Sequence, residues 1–145
     1  MVKLTLTPAS DADAPAIAAL RHAVAERLTR DYGRGHWSSA VSAEGVRRAL
    51  KMPQLYVAHD RGGILATLRL VTKKPWAIDP EYFTAVRRPL YLLDMAVAPD
   101  QQRRGIGRRC LEEAVQLARA WPADAIRLDA YAADAGAGPF YAPCG

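Results

Sequence analysis

The sequence has few cysteines and no long apolar run, and each shortage excludes a class of protein. The only cysteines are Cys110, inside a helical pattern, and Cys144, at the chain end. They suit neither a disulfide framework nor a metal-ligand set, so we expect no bound metal. No apolar run approaches the ~20 residues of a membrane span, and residues 1–10 lack the apolar region of a signal peptide. We therefore expect a cytoplasmic protein with no membrane partner.

Negative charge is scarce where positive charge gathers. The net charge is +5, and no acidic residue lies between Asp100 and Glu112. Four arginines fall in this interval, at positions 103, 104, 108 and 109. Such local clustering favours a pocket for a compact anion and argues against nucleic acid as the partner. A second basic group, at a separate loop-like segment, consists of Lys73, Lys74, Arg87 and Arg88.

The apolar pattern predicts one domain over residues 1–145, in which strands and helices are mixed. Alternating apolar residues indicate strands, and apolar residues at helical spacing indicate helices. Residues 73–89 have the character of a long loop, a feature that is often functional in a compact domain. The predicted strands are 3–7, 54–60, 64–72, 90–97 and 125–131. The predicted helices run from Ser10 to Gly33, from Ser42 to Met52 and from near Gly107 to Ala118, with at most a short one in 136–145.

The arginine-rich segment joins a strand that ends at Val97 to a helix, through Gly105 and Gly107. Glycine lets a ligand approach the backbone, and the free N–H groups of a helix start attract anions. The segment thus predicts a phosphate or pyrophosphate site, with a tight turn under a solvated basic face as the alternative. A P-loop is excluded, because no Lys followed by Ser or Thr comes after the glycines. A dinucleotide-binding fingerprint, with Asp129 on the ribose, fits poorly because Cys110 occupies its third glycine position.

Residues Gln102–Gly107, QRRGIG, resemble the Q/R-x-x-G-x-G/A motif of the GNAT acetyltransferase superfamily. The preceding strand LLDMAVAP, the helix RRCLEEAVQLA and the tail PFYAPCG, which is similar to the FYxxxG element of the family, extend the likeness over residues 90–145. The order of elements matches over the rest of the chain. The resemblance implies an α/β fold with a central mixed, mostly antiparallel sheet flanked by helices.

The resemblance also implies acetyl-CoA as co-substrate. Its pyrophosphate would lie on backbone amides of the glycine loop, and its pantetheine would pair with the strand edge. In the family that strand splays away from the next one, here 125–131, and the co-substrate enters the gap. The implied binding residues are Met95, Ala96, Val97, Gln102, Arg103, Arg104, Gly105, Ile106, Gly107, Arg108, Asp134 and Phe140.

The implied reaction is direct attack of a primary amine on the acetyl thioester, which needs a base, an oxyanion donor and an acid. Tyr141 matches the tyrosine acid of the family, and a packing role for its ring is the alternative. Asp94 interrupts an apolar strand, where an unpaired carboxylate is costly. It is therefore either the base or the ion-pair partner of Arg69. Leu93 stands where the family often has a glutamate, so a base acting through water also fits.

The acceptor is expected to be a small-molecule or peptide amine. His36 and Trp37 either border its cleft, as their position in the family implies, or form an ordinary surface turn. The basic residues of the long loop hint at an acceptor with a carboxylate, although a solvated surface explains them equally well. A non-catalytic acyl-CoA-binding module is the alternative from a different functional class.

The sequence departs from the family at its C-terminus. The family continues past the FYxxxG helix into two further strands that close the sheet, whereas this sequence stops at Gly145. The predicted strand 125–131 would then have an unpaired edge, which invites pairing with another chain. We expect either that residues 1–145 are an incomplete domain of a longer chain or that a partner subunit, as in a homodimer, covers the edge.

Overall fold

The computed structural model describes residues 4–52, 54–76, 78–129 and 136–144. Its strands are β1 (Leu6–Pro8), β2 (Leu55–Asp60), β3 (Gly63–Val71), β4 (Pro89–Val97) and β5 (Ala125–Arg127). Its helices are α1 (Ala14–Tyr32), α2 (Ala43–Ala49), α3 (Ile106–Ala120) and α4 (Gly138–Tyr141). The strands form one sheet in the order β1-β2-β3-β4-β5, in which only the β4–β5 pair is parallel. The predicted mixed, mostly antiparallel sheet is confirmed.

The starts of α1 and α2, and the end of α1, have the capping groups that the sequence indicates. Before α1, the amide of Ser10 donates to the carboxylate of Asp13 at 2.8 Å. After α1, Gly33 has φ +80°, a conformation that suits glycine at a helix end. At α2, the hydroxyl of Ser42 accepts a hydrogen bond from the amide of Gly45 at 3.1 Å. No helix in the described part of the chain is long and apolar enough to cross a bilayer.

α2 is shorter than predicted, and an arginine side chain caps its end. The helix ends at Ala49 rather than Met52. The buried guanidinium of Arg69 donates to the carbonyl oxygens of Ala49 at 2.9 Å and Met52 at 3.4 Å. A cation at the last carbonyls of a helix satisfies acceptors that have no partner within the helix. Arg69 thus fixes the end of α2 over β3.

The sheet separates two apolar clusters. On one face, Cys110, Ala114 and Ala118 of α3 are buried against residues of the sheet that include Leu68 and Leu90. On the other face, α1 and α2 bury a second cluster against β2, made of Ala14, Ile17, Ala18, Val46, Leu55 and Val57. Helices cover both faces, so residues of β4 can reach a cleft under α1 while the opposite side of the strand is packed by α3.

Cys110 belongs to the core and Cys144 to the surface. The Cys110 side chain is fully buried, and burial, together with the nearby Glu113 carboxylate, raises the pKa of its thiol to about 11. Cys110 is therefore a neutral packing group. Cys144 is an exposed free thiol.

β4 contains a bulge at its centre. Thr67 of β3 pairs with Ala96, whereas Arg69 pairs with Leu93. One residue of β3 therefore stands opposite Asp94 and Met95, and Asp94 adopts φ +54°. A bulge redirects side chains and removes backbone groups from the ladder. The irregular part of the sheet thus coincides with the carboxylate selected from the sequence.

β4 and β5 pair only at one end. The parallel register runs from Pro89–Tyr91 against Ala125–Arg127, whereas β4 continues to Val97. Within the described residues, β5 ends before Leu128, so the predicted strand 125–131 is shorter there than expected. Residues 130–135 lie outside the described residues. Pairing at one end only is consistent with the predicted divergence of the two strands.

Arg127 ties the long loop to the sheet. Its guanidinium donates to the hydroxyl of Tyr91 and to the carbonyl of Thr84, both at 3.0 Å. It also lies 5.3 Å from the ring centroid of Phe83 and 5.9 Å from that of Tyr91. Hydrogen-bond acceptors and aromatic faces thus surround two of its nitrogen atoms, while its buried Nε has no acceptor among the described residues.

Candidate active site

A cleft of about 440 Å³ opens where β4 parts from β5. Its walls come from α1, the 36–39 turn, β4 and the C-terminal helix α4. Of the residues predicted to form the site, Asp94, Met95, Ala96 and Tyr141 line this cleft. The structure therefore brings together the two side chains that were selected as catalytic.

Asp94 points into the cleft rather than into the core. Its side chain is 50% exposed, and its carboxylate lies 3.8 Å from the guanidinium of Arg21 in α1. Arg69, the other partner considered for Asp94, donates to carbonyl oxygens at the end of α2. Asp94 thus reaches the cleft from within an apolar strand. The bulge is the reason: Leu93 and Asp94 are consecutive, yet both line clefts on the α1 side, which a regular strand does not permit.

Tyr141 is partly buried at the opposite wall of the cleft. Burial raises the pKa of its phenol, and the negative charges of Cys144 and Asp129 raise it further. A phenol with a raised pKa stays protonated through neutral pH and can donate a hydrogen bond or a proton. Its short helix is held by the amide of Tyr141, which donates to the carbonyl of Ala137 at 3.0 Å.

Gly107 and Phe140 form a packing contact between the start of α3 and α4. A Cβ atom at position 107 would lie 2.9 Å from Cζ of Phe140 and 3.6 Å from Cγ2 of Val97. The glycine is thus required for close approach of a ring. Because Phe140 precedes Tyr141, this contact also positions the phenol.

Gly105 differs from Gly107 in both conformation and surroundings. Its φ is +78°, and a Cβ atom there would have no atom within 4 Å. The first hydrogen bond of α3 runs from the amide of Arg109 to the carbonyl of Gly105 at 3.1 Å. The amides just before Arg109 have no acceptor within the helix, and they lie at the positive end of its dipole. This geometry suits an anion such as a pyrophosphate.

Side chains hold this loop against the end of β4. The amide group of Gln102 donates to the carbonyl of Val97 at 3.2 Å. The guanidinium of Arg104 donates to Gln101 at 2.9 Å, and that of Arg108 lies 3.8 Å from Glu112. Asp134, which the resemblance also implied, lies outside the described residues. Of these contacts, the one from Gln102 ties the loop to the backbone of β4.

His36 and Trp37 both line the cleft. The indole N–H of Trp37 donates to the carbonyl of Gly33 at 2.8 Å, and the hydroxyl of Thr29 donates to that of Ser38 at 2.7 Å. These bonds fix the turn to the end of α1. Trp37 consequently has a structural role as well as a position at the site.

Sequence reasoning missed two charged residues of the cleft, Arg21 and Asp129. Arg21 interrupts the apolar spacing of α1, four residues after Ile17 and three before Val24. A charge within an inward-facing stripe was the available signal. Asp129 was considered only for a nucleotide ribose, whereas the structure places it in the cleft with Tyr141.

Comparison with known proteins identifies the family of the chain. A family model described as the Acetyltransferase (GNAT) family matches residues 21–145. No curated protein sequence matches the chain. The chain therefore belongs to the GNAT acetyltransferase family, as the QRRGIG motif indicated.

Solved structures share the fold at low sequence identity. The aminoglycoside acetyltransferase HMB0005 from an uncultured soil metagenomic sample is 21% identical, with a TM-score of 0.62 over 97% of this chain and 88% of that one. The aminoglycoside 6'-N-acetyltransferase AAC(6')-Ih of Acinetobacter baumannii is 13% identical, with a TM-score of 0.66 over 99% and 90%. An acetyltransferase of Trypanosoma brucei is 16% identical, with a TM-score of 0.62 over 99% and 92%. At these identities the likeness concerns the fold.

Substitution of Gly107 tests the contact with Phe140. The Gly107→Ala variant should lose about 1 to 3 kcal/mol of unfolding free energy, because its Cβ atom overpacks the ring. Denaturant unfolding measures this loss. Gly138→Ala is the matched control, since a Cβ atom there has no atom within 4 Å, and its stability should not fall. Equal stabilities of the two variants would contradict the packing role.

Proposed function

We propose that the protein transfers an acetyl group from acetyl-CoA to the primary amine of a small molecule by direct attack. The observation that carries this proposal is the placement of Asp94 and Tyr141 on one cleft, next to a helix start that suits a pyrophosphate. A carboxylate and a protonated phenol are the acid–base pair that amine acylation requires.

The binding site for acetyl-CoA follows the end of β4. The backbone amides from Arg103 to Arg108, at the start of α3, would hold the pyrophosphate, and the open space at Gly105 leaves room for it. The edge of Met95–Val97 would pair with the pantetheine amides, because β5 has already diverged from β4 there. This route leads the thioester, which supplies the acetyl group, to the bulge and to Tyr141.

Different residues of the cleft would carry out the separate proton transfers. Asp94, directly or through a water molecule, takes a proton from the acceptor ammonium, and the free amine forms the new C–N bond. A backbone N–H that the bulge removes from the ladder stabilises the oxyanion. The C–S bond then breaks, Tyr141 gives its proton to the leaving sulfur, and the attacking nitrogen gives its second proton to the resulting tyrosinate, directly or through water. Asp94 releases its proton to solvent. The products are an acetamide and the free thiol of CoA.

A small-molecule acceptor agrees with the size of the cleft, about 440 Å³. Several of the solved structures with this fold are named as acetyltransferases of aminoglycosides, which are small molecules. We place the reaction in the cytoplasm, because both cysteines are free thiols. A non-catalytic acyl-CoA-binding module, the alternative, would bind the co-substrate without turnover.

Release of CoA thiol from acetyl-CoA, measured with a panel of amines, tests the activity, and Gly105→Glu tests the binding site. A glutamate at this position would place a side chain and a negative charge where the pyrophosphate binds, so calorimetric affinity for acetyl-CoA should fall at least about tenfold. Gly105→Asn is the control, since asparagine tolerates a positive φ and adds no charge. Binding without any turnover would support the non-catalytic alternative, and unchanged affinity in Gly105→Glu would refute the loop assignment.

Tyr141→Phe retains the ring and removes the donated proton. We expect kcat to fall by about 10² while acetyl-CoA affinity stays the same. Because the pKa of Tyr141 is raised, the wild-type enzyme should lose activity only above about pH 10, the ordinary tyrosine value. The variant should lack this alkaline decline. A kcat that does not change, under conditions in which chemistry limits the rate, would leave Tyr141 with a packing role.

The variants Asp94→Asn and Asp129→Asn distinguish the roles of the two carboxylates in the cleft. Asp94→Asn should lower kcat by about 10², as expected for loss of a base. Asp129→Asn should retain most of the activity at neutral pH. It should also move the alkaline decline to lower pH, because it removes one cause of the raised pKa of Tyr141. Steady-state pH profiles measure both effects, and a larger loss in Asp129→Asn would transfer the role of base to Asp129.

A further inference from the structure

A second cleft, of about 460 Å³, lies on the other side of Asp94. α1, α2, β3 and the start of the long loop form its walls. Its inner surface is mainly apolar and includes Ile17, Val46, Leu55 and Val71. The volume falls in the range of small-molecule sites, which is about 300 to 1,000 Å³.

The charged residues of this cleft are mostly cationic. Arg21, Arg69, Lys73 and Lys74 line it, and Asp94 is the one acidic residue in its lining within the described part of the chain. Lys74 donates to the carbonyl oxygens of Pro75 at 2.9 Å and Ile78 at 2.7 Å. Such neutral acceptors satisfy its N–H groups but do not cancel its charge. The cleft therefore combines an apolar interior with a positive rim.

The two clefts meet at a common wall. Arg21, Leu93 and Asp94 line both of them. A molecule in the second cleft can therefore extend one end past Asp94 toward the reaction cleft. Its amine would reach the carboxylate proposed as base, while its remainder stays among apolar residues and the lysines.

We infer that the second cleft binds the acceptor and selects amines that carry a carboxylate at the end of an apolar body. The inference rests on the proposed acetyl transfer and adds its substrate class. The ammonium faces Asp94, the apolar body occupies the interior, and the carboxylate lies at Lys73 and Lys74. Charges of opposite sign at the two ends of the site fix the direction in which the acceptor binds.

The four basic residues of the long loop lie in two separate places in the structure. Lys73 and Lys74 line the second cleft. Arg87 and Arg88 precede β4 next to β5, where the amide of Arg88 donates to the carboxylate of Asp124 at 2.9 Å. Neither arginine is in the lining of the two clefts. The sequence indicated an acceptor with a carboxylate from all four residues. In the structure, only the two lysines are placed to contact one.

Three primary amines with the same hydrocarbon chain test the inference. Aminohexanoate carries a carboxylate at its far end, hexylamine a methyl group, and hexamethylenediamine a second ammonium. The wild-type protein should acetylate aminohexanoate with a kcat/KM about tenfold above that of hexylamine, and the diamine least well. Equal values, or a preference for the diamine, would overturn the inference, although turnover of any of them would still support the transferase.

Lys73→Glu and Arg87→Glu form a matched pair of variants. Both side chains are exposed and both changes reverse one charge, so thermal unfolding should stay at the wild-type value. Only Lys73→Glu should raise KM for aminohexanoate, by about tenfold, with little change for hexylamine. Equal effects of the two variants on KM would show that the net charge of the protein is responsible. They would refute binding of the carboxylate in the second cleft.

A binding measurement keeps the test independent of turnover. NMR titration of the protein with each amine, without acetyl-CoA, should give the tightest binding for aminohexanoate, weakened by Lys73→Glu and unaffected by Arg87→Glu. Absence of acetylation together with this pattern would refute the proposed activity and support the site. Absence of any preference in binding would refute the site, whatever the activity.

Discussion

The bulge in β4 is the constraint on which the arrangement of both clefts depends. One extra residue opposite β3 places Asp94 at a positive φ and directs Leu93 and Asp94 to the side covered by α1. In a regular strand, one of these side chains would face α3. The carboxylate would then be buried in the core, where it would require a partner or a proton. The bulge instead gives Asp94 a partly solvated position beside Arg21.

Much of the fold was predictable because its signals are local. Ser42 and Gly33 mark helix ends through bonds and dihedral angles within a few residues of themselves. The hairpin of β2 and β3 follows from alternating apolar residues around a glycine turn. The QRRGIG segment was equally readable, since the conformation of Gly105 and the start of α3 are set inside one short stretch of chain.

The remaining features depend on contacts between distant parts of the sequence. Arg69 ends α2 from twenty residues away, and no pattern near Met52 indicates this. The bulge arises from the register between β3 and β4, which leaves no mark in the apolar alternation of either strand. The same holds for Gly107, whose neighbour Phe140 lies in the last helix. Such contacts become visible only when the elements are placed together.

Arg127 attaches the end of the long loop to the sheet. The buried guanidinium holds Phe83 and Thr84, so the loop re-enters the sheet at a fixed point whatever precedes that point. The far end of the segment that begins at Lys73 is thus held by contacts outside that segment. Its length and charge can therefore change without moving the start of β4. One surface segment of the scaffold can thus vary while the sheet beneath it stays in place.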